Sequence, residues 1–109
     1  MRTSGNIYRA LADPTRRKIL NLLSKDEHTQ SDIVKEFDIS QPAINKQLNI
    51  LKKEGFVHES KSGRYRFYSL NTKVFAVAYQ QMIDEIGAML DQTLVDLKHY
   101  VENKEEDDD

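Results

Sequence analysis

The chain has 109 residues, a size typical of one small domain, and it contains no cysteine. The lack of thiols excludes a disulfide framework and a thiolate metal site. No stretch approaches the roughly 18–20 consecutive apolar residues of a membrane span, and no apolar run like that of a signal peptide opens the sequence. We therefore expect a soluble, cytoplasmic protein.

The net charge of -2 is unevenly distributed. Residues 1–73 carry 14 Lys and Arg against 8 Asp and Glu, whereas residues 74–101 carry one against four and residues 102–109 carry one against six. The larger, N-terminal part of the chain is therefore basic and its C-terminal end is acidic. Such a basic region is the electrostatic footprint expected of a nucleic-acid-binding surface.

Two helices are predicted at the start of the chain. The first covers residues 6–13. Its apolar positions are expected to face the core, and they are Ile7, Tyr8, Leu11 and Ala12. The second covers residues 13–24, with Asp13 as N-cap and Pro14 at the first helical position, where the missing N–H costs nothing.

A third and a fourth helix are predicted next, joined by a link of about three residues. The third covers residues 29–37 and is capped by Thr29. The fourth covers residues 41–54, with Ser40 as N-cap and Pro42 in the first turn. Its apolar positions follow the i, i+4, i+7 rule, and they are Ile44, Leu48 and Leu51.

A basic hairpin is predicted after this helix. Gly55 is a good helix stop, and residues 56–60 and 64–70 have the composition of strands. Residues 61–63 read KSG and predict the turn, in which Gly63 takes a positive φ.

A long final helix is predicted over residues 72–101, capped by Asn71 or Thr72. Its apolar positions recur every three or four residues, at Ile83, Ile86, Leu90, Leu94, Leu97 and Val101. Thirty helical residues span about 45 Å, whereas a body of about seventy residues has a radius of gyration near about 11 Å. Much of the apolar stripe would be left in water, so we expect a second copy of the chain to cover it.

This order of elements predicts a mainly α fold with a small β-hairpin, in which four helices and two strands precede the final helix. A tight-turn helix pair followed by a basic hairpin is the layout of a winged helix-turn-helix, here homodimeric through its terminal helices. Residues 1–72 would form the DNA-binding domain and residues 73–101 the dimerisation helix. Residues 102–109 are predicted to be a disordered acidic tail.

In this layout the fourth helix enters the major groove and its N-terminal residues read base edges. The predicted recognition residues are Ser40, Gln41, Pro42, Ala43, Asn45, Lys46 and Gln47. The wing residues expected to contact phosphates or the minor groove are Lys61, Arg64 and Arg66. Further phosphate candidates lie at a helix N-terminus, where positive charge opposes the helix dipole, and they are Arg16, Arg17 and Lys18. Taken singly, each set also fits a solvated helix face or a soluble hairpin.

Three segments of the chain, LADPTRRKILNLL, FDISQPAINKQLNILKKEGFV and SGRYRFYSL, resemble the ArsR (SmtB-type) winged-helix repressors over about residues 6–72. The resemblance implies a homodimer joined through its first and last helices on an operator with dyad symmetry. It implies recognition positions at Ser40, Gln41, Pro42, Asn45 and Lys46, with the wing position at Arg64. The ending FYSLN is similar to that of cysteine-free members that repress their own operon, where a membrane protein encoded alongside relieves repression.

The metal sites that the resemblance implies are incomplete in this chain. Metal-sensing members carry a cysteine pair where Ile33 and Lys35 stand here. Other members bind zinc or cobalt across the last helices, and His99 and Glu102 match half of that site. The other half falls on two residues that cannot ligate, Ile86 and Ala88. Because zinc needs three or four ligands, we predict no metal cofactor.

Two alternatives remain beside the DNA-binding repressor. One is a protein–protein interaction module that uses the winged helix as a scaffold, and the other is a metal-responsive repressor with a non-standard site. An enzyme is not predicted, because the sequence has neither a set of residues for nucleophilic catalysis nor a Gly-rich phosphate loop. The carboxylates of Asp84 and Glu85 are adjacent on a helix and therefore point in different directions.

Overall fold

A computed structural model describes residues 5–107, with side chains up to Lys104. The described elements, in chain order, are α1 (Ile7–Leu11), α2 (Pro14–Lys25), β1 (His28–Thr29), α3 (Gln30–Lys35), α4 (Gln41–Lys53), β2 (Val57–Ser62), β3 (Tyr65–Leu70) and α5 (Thr72–Asp107). This architecture confirms the predicted mainly helical winged fold. The expectations for residues 1–4 and 108–109 lie outside the described residues.

The sequence prediction missed one strand. β1 pairs antiparallel with β3, so that His28 faces Tyr68 and Thr29 faces Phe67, and the sheet has the order β1-β3-β2. The wing is therefore the edge of a three-stranded sheet rather than a free hairpin. A strand of two residues carries no periodic pattern of its own, because its partner lies some forty residues further along the chain.

The predicted helix starts are confirmed, since each has its expected side-chain cap. Asp13 accepts a hydrogen bond from the Thr15 N–H at 2.7 Å, and Thr29 accepts one from the Asp32 N–H at 3.1 Å. The hydroxyl of Ser40 accepts from the Ala43 N–H at 3.3 Å, and Asn71 Oδ1 accepts from the Val74 N–H at 3.2 Å. These bonds satisfy backbone donors that have no partner within their own helix.

Gly55 ends α4 as predicted. Its φ is +86°, and its N–H donates to the Lys52 carbonyl while the Phe56 N–H donates to the Leu51 carbonyl, both at 3.0 Å. This pair of bonds is a Schellman motif, in which Leu51 and Phe56 occupy the two apolar positions that commonly contact each other. It turns the chain directly into β2.

The hairpin turn is shorter than predicted, beginning two residues later and ending one residue later. Ser62 pairs with Tyr65, so Gly63 and Arg64 are the two turn residues, and Lys61 belongs to β2. The φ of Gly63 is +61°, as expected for the turn type that takes glycine at its first central position.

The core lies between α2, α3, α4 and the sheet. Its largest fully buried side chains are Ile19, Ile33, Ile44, Leu48, Leu51 and Phe56. The ring of Phe56 meets the edge of Phe75 at 5.7 Å between centroids, which brings the start of α5 into this core. Tyr8 and Ala12 are exposed and not inward as expected, because α1 has only five residues and turns a narrow face to the core.

α5 continues six residues beyond the predicted end at Val101, to Asp107. The first six residues of the expected disordered tail are therefore helical, because they contain good helix formers and no glycine or proline. Contacts divide the chain into an N-terminal unit ending at Ala78 and a C-terminal unit beginning at Tyr79. Within residues 5–107, no helix combines the length and apolar character needed to span a membrane.

Candidate nucleic-acid interface

α3 and α4 form a helix-turn-helix pair on the N-terminal unit. The link between them is five residues long, not three, because α3 ends at Lys35. The buried side of α4 is the predicted one, with Ile44, Leu48 and Leu51 in the core. Its first two turns therefore present their other side to solvent.

The predicted recognition residues divide by exposure. Four are exposed, and they are Ser40, Gln41, Pro42 and Lys46. Three are half-buried, and they are Ala43, Asn45 and Gln47. The side-chain amide of Gln30, at the start of α3, donates a hydrogen bond to the Asn45 side-chain oxygen. This bond links the two helices of the pair directly and fixes the Asn45 side chain at the edge of the exposed side.

Gln47 is tied to the scaffold through its side-chain oxygen. Its Oε1 accepts a hydrogen bond of 2.6 Å from Arg16 Nη1. Since a guanidinium only donates, the oxygen of this amide must face Arg16. Gln47 therefore connects α4 to α2, and base reading by Gln47 stays a prediction that rests on its amide nitrogen.

Arg16 is buried, which corrects its prediction as a phosphate ligand. Only 9% of the residue is exposed, and its Nε and Nη2 donate to the Arg9 carbonyl at 3.1 and 2.9 Å. That carbonyl lies at the end of α1, where it also accepts the longer hydrogen bond of 3.4 Å from the Ala12 N–H. The charge of Arg16 is thus explained by acceptors inside the fold, not by an anion outside it.

Arg17 and Lys18 are exposed, but each also holds a backbone carbonyl. Arg17 Nη1 donates to the Leu11 carbonyl at 2.6 Å, and Lys18 Nζ donates to the Glu36 carbonyl at 2.5 Å. The ammonium of Lys18 also lies 4.6 Å from the centre of the Phe37 ring. Both cations remain open to solvent on one side while they fasten α2 to neighbouring segments.

The three predicted wing cations are all exposed. Lys61 on β2 lies directly opposite Arg66 on β3, and Arg64 occupies the turn between the strands. Its guanidinium carbon lies 5.6 Å from the centre of the Tyr65 ring. Because like charges directly opposite each other destabilise a strand pair, this arrangement gains from an anion bound across it.

Glu59 joins the wing to α4, and it was not among the residues predicted from the sequence. Its Oε1 lies 2.5 Å from Lys52 Nζ, and its Oε2 lies 3.6 Å from Arg66 Nε. The hydrogen bond from Lys52 lowers the pKa of Glu59, so the carboxylate stays charged. Burial raises the pKa of the facing Tyr68, whose hydroxyl therefore stays protonated. The signal in the sequence that could have identified Glu59 was an acidic residue inside a basic hairpin.

Glu54 is a second missed residue, at the end of α4. Its carboxylate accepts from the Asn6 N–H at 3.1 Å and lies 3.5 Å from Arg9 Nε. Its backbone carbonyl accepts from the Gly5 N–H at 2.5 Å. Although 92% of the residue is buried, these partners satisfy its charge, and they fasten the start of α1 against the end of α4.

The residues predicted to form the dimer interface are mostly exposed on α5. Ile83, Leu90, Leu94, Leu97 and Val101 are each at least 42% exposed, and Ile86 is half-buried. Met89, Val95 and Tyr100 add further exposed apolar surface on the same helix.

The donors expected for a family-type metal site do not come together. Over residues 5–107, no group of three or more His, Asp or Glu side chains could hold a metal ion. His99 and Glu102 lie exposed on α5, and the non-ligating Ile86 and Ala88 lie three and four turns before them on the same helix. The residues present do not fit a zinc site.

Comparison with known proteins agrees with this geometry. Residues 13–59 match the family described as "Bacterial regulatory protein, arsR family". The chain is 42% identical over 83 residues to the transcriptional repressor SdpR of Bacillus subtilis, which covers 76% of this chain and 92% of that protein.

Solved structures show the same fold. The crystal structure of an ArsR family transcriptional regulator aligns with a TM-score of 0.69 at 32% identity, and covers 79% of this chain and 88% of that one. The structure of a possible transcriptional regulator for arsenical resistance aligns with a TM-score of 0.72 at 30% identity, and covers 84% and 95%. The protein is therefore a DNA-binding transcriptional repressor that belongs to the ArsR family.

Proposed function

We propose that this repressor binds an operator of dyad symmetry as a homodimer, and that it regulates its own operon without a metal cofactor. The observation that carries the proposal is the exposed polar side of the first two turns of α4, on the same unit as the exposed wing cations. One copy of that unit reads one half-site, and a dimer reads two. The protein acts in the cytoplasm, where the operator lies.

Base reading falls to the exposed N-terminal half of α4. Gln41 and Lys46 offer an amide and an ammonium to base edges, and Pro42 and Ala43 can touch a thymine methyl group. Asn45 contributes from the edge, where Gln30 holds its side chain. Ser40 caps the helix and brings its first turn close to the DNA.

The wing supplies contacts that do not depend on sequence. Lys61 and Arg66 face each other, and Arg64 lies at the tip beside Tyr65. A phosphate or the minor groove between these cations would relieve their mutual repulsion. Arg17 and Lys18 add further positive charge near α3 and α4.

Dimerisation through α5 is supported by its exposed apolar side chains. A monomer would leave Leu90, Leu94 and Leu97 of α5, each more than half exposed, in water, and extended exposed apolar surface marks a site of association. Joining the two copies through α1 and α5 would cover it and would set the spacing of the two half-sites.

The signal that relieves repression is proposed to be a protein and not a metal. The chain has no cysteine, and His99 and Glu102 are the only pair that matches part of a family metal site. A membrane protein encoded in the same operon is the partner that the resemblance to cysteine-free members implies.

The test is fluorescence anisotropy on DNA from upstream of the protein's own gene, with a scrambled duplex of equal length as control, with and without zinc. We expect operator binding at least about a thousandfold tighter than binding to the scramble, and no effect of zinc. Weakening by zinc would contradict metal independence. Equal weak binding to both duplexes would contradict the proposal and would favour the protein–protein interaction module.

Two substitutions separate base reading from phosphate binding. Gln41→Ala should weaken operator binding by about 1–3 kcal/mol and leave random DNA almost unchanged. Arg64→Ala should weaken binding to both and reduce the salt slope by about one. Asn21→Ala, an exposed amide on α2, is the control. A uniform loss of affinity in Gln41→Ala would exclude direct base reading at that position.

A further inference from the structure

An open groove of about 630 Å³ runs along α4 from its recognition residues towards its C-terminal end. It is lined by Arg9, Pro42, Asn45, Lys46, Asn49, Ile50 and Lys53. Arg9 comes from α1, and all the others come from α4. The groove therefore continues the exposed side of the predicted recognition helix and has the end of α1 as its other wall.

The exposed side of α4 extends well beyond the residues expected to read bases. Pro42 and Lys53 are eleven residues apart, which is about 16 Å along the helix axis. A recognition helix contacts base edges with its N-terminal residues. We therefore expect Asn49 and Lys53, near the other end of α4, to lie outside the bases that are read and closer to the sugar–phosphate backbone.

The charges at this end suit an anion. Arg9 has its side chain 58% exposed, although its Nε lies 3.5 Å from the Glu54 carboxylate. Lys46 and Lys53 are exposed, and their ammonium groups have no hydrogen-bond or ion-pair partner among the side chains that the structure describes. Glu54 itself is almost fully buried and is also engaged by the Asn6 N–H. The cations, and not the carboxylate, face the solvent.

We propose that Arg9 and Lys53 hold one backbone phosphate of the operator, flanking the bases that α4 reads. This inference rests on the proposed function and deepens it, because it names a phosphate contact that lies outside the recognition residues and the wing. Glu54 orients the Arg9 guanidinium, and the open shape of the groove admits a polymer backbone that passes across it. Asn49 lies between Lys46 and Lys53 and can donate to the same strand.

A structural explanation exists for Lys53, since a cation near a helix C-terminus is favoured by the helix dipole. That effect would change stability and leave DNA binding as it is. The salt dependence of binding separates the two, because each phosphate contact that is lost removes about 0.9 from the slope of log K against log salt.

The experiment measures this slope for the full chain on the operator and on the scrambled duplex. Lys53→Gln is compared with Lys25→Gln, which removes an exposed cation at the end of α2 away from the groove. Arg9→Gln and the double variant Arg9→Gln/Lys53→Gln follow. We expect the slope to fall by about one with Lys53→Gln, equally on both duplexes, since a phosphate contact carries no sequence information. Lys25→Gln should match the wild type.

The inference is overturned if Lys53→Gln keeps the wild-type slope while the wild type still prefers its operator. It is also overturned if Lys53→Gln loses affinity on the operator alone. A wild type without preference for the operator would instead contradict the proposed function. Should Arg9→Gln unfold because Glu54 loses its partner, Lys53→Gln decides alone. Thermal stabilisation of the wild type but not of Lys53→Gln by inorganic phosphate, with an unchanged slope, would assign the groove to a small anion.

Discussion

The residues up to Ala78 bury their apolar side chains among themselves, whereas α5 beyond Ala78 keeps most of its large apolar side chains exposed. In the N-terminal unit six large side chains are fully buried, and the buried Arg16 and Glu54 have hydrogen-bond or ion-pair partners. In the C-terminal unit Leu90, Leu94 and Leu97 are each more than half exposed.

The difference shows that an apolar side of a helix can have two fates, burial within the core of its own unit or exposure along the helix. A helix with an apolar side of three or four turns can be covered by a single small core, as α2 and α4 are. A helix of 36 residues cannot be, because it is about 54 Å long. We therefore expect changes in the N-terminal unit to act on stability, and changes in the C-terminal unit to act on assembly.

The largest effect is expected for Leu94→Glu, which tests whether the exposed apolar side chains of the C-terminal unit act in assembly. Leu94 is 61% exposed, and burying a leucine in a dimer stabilises it by about 1.5–3 kcal/mol per copy. Two copies therefore contribute about 3–6 kcal/mol, so dimer dissociation should increase by about a hundredfold or more. Sedimentation velocity measures the assembly, and anisotropy measures the accompanying loss of operator affinity.

Gln81→Glu is the matched control for that substitution. It adds the same charge to an exposed position of α5, nine residues before Leu90 and hence on the opposite side of the helix. It should leave the assembly unchanged. If Leu94→Glu sedimented like the wild-type dimer, the apolar stripe would not be the dimer interface. If the wild type were itself a monomer, the stripe would be assigned to a different partner chain.

A smaller effect is expected for Arg16→Met, which tests whether a buried polar contact of the N-terminal unit acts on stability. The change leaves the Gln47 oxygen without its donor, and it leaves the Arg9 carbonyl with only the longer hydrogen bond of 3.4 Å from the Ala12 N–H. An unsatisfied buried acceptor costs about 1–3 kcal/mol, so the free energy of unfolding should fall by about that amount in urea denaturation. The mass of the assembly should stay the same.

Arg17→Met is the control for Arg16→Met, because Arg17 is exposed and should change stability by less than about 0.5 kcal/mol. Equal stability of the two variants would mean that water replaces Arg16 at its acceptors without cost. The buried guanidinium would then have no measurable part in holding α1, α2 and α4 together.

The smallest effect is expected for Glu59→Gln, which tests the joint between α4 and the wing. The pKa of Glu59 in the folded protein lies below its ordinary value of 4.5. Its stabilising contribution is therefore present above the unfolded pKa and is lost as the pH falls through the folded pKa. Because Lys52 and Arg66 are about half exposed, we expect a difference from the wild type of about 1 kcal/mol or less at pH 7.

That difference should shrink as the pH falls through the lowered pKa of Glu59 in the folded protein, because the carboxylate is then protonated in both states. The measurement is urea denaturation of both proteins over a series of pH values from 7 downward. The pKa of Asp13 is also lowered, chiefly by the hydrogen bond from the Thr15 N–H, and it is present in both proteins. The difference therefore isolates Glu59. A gap that stays constant over the whole pH series would mean that the substitution acts through packing and not through charge.

Local signals in the sequence were sufficient to predict most boundaries of the helices and strands. The caps at Asp13, Thr29, Ser40 and Asn71 and the stop at Gly55 all depend on residues within a few positions of the helix end, and all were predicted. The hairpin turn was predicted to start two residues early, because a glycine permits a positive φ at more than one turn position. The end of α5 was predicted six residues early, because the acidic run after Val101 is typical of a solvated tail and yet consists of residues that tolerate a helix.

Long-range pairings were beyond what local patterns can indicate. β1 depends on β3, Arg16 depends on Gln47, which is 31 residues away, and Glu54 depends on Asn6, which is 48 residues away. No spacing rule connects such positions. Arg16 in particular looked like a phosphate ligand because its sequence neighbours, Arg17 and Lys18, are surface cations.

The sequence by itself determined the order of the elements, the two buried sides of α2 and α4, the apolar stripe of α5 and the basic composition of the N-terminal part. These are consequences of periodicity and capping, which act over one or two turns. Only the tertiary structure decided which cations face solvent and which satisfy carbonyls, and it placed Arg9 and Lys53 on the same groove. The reason is that burial and hydrogen bonding depend on which distant segments the core brings together.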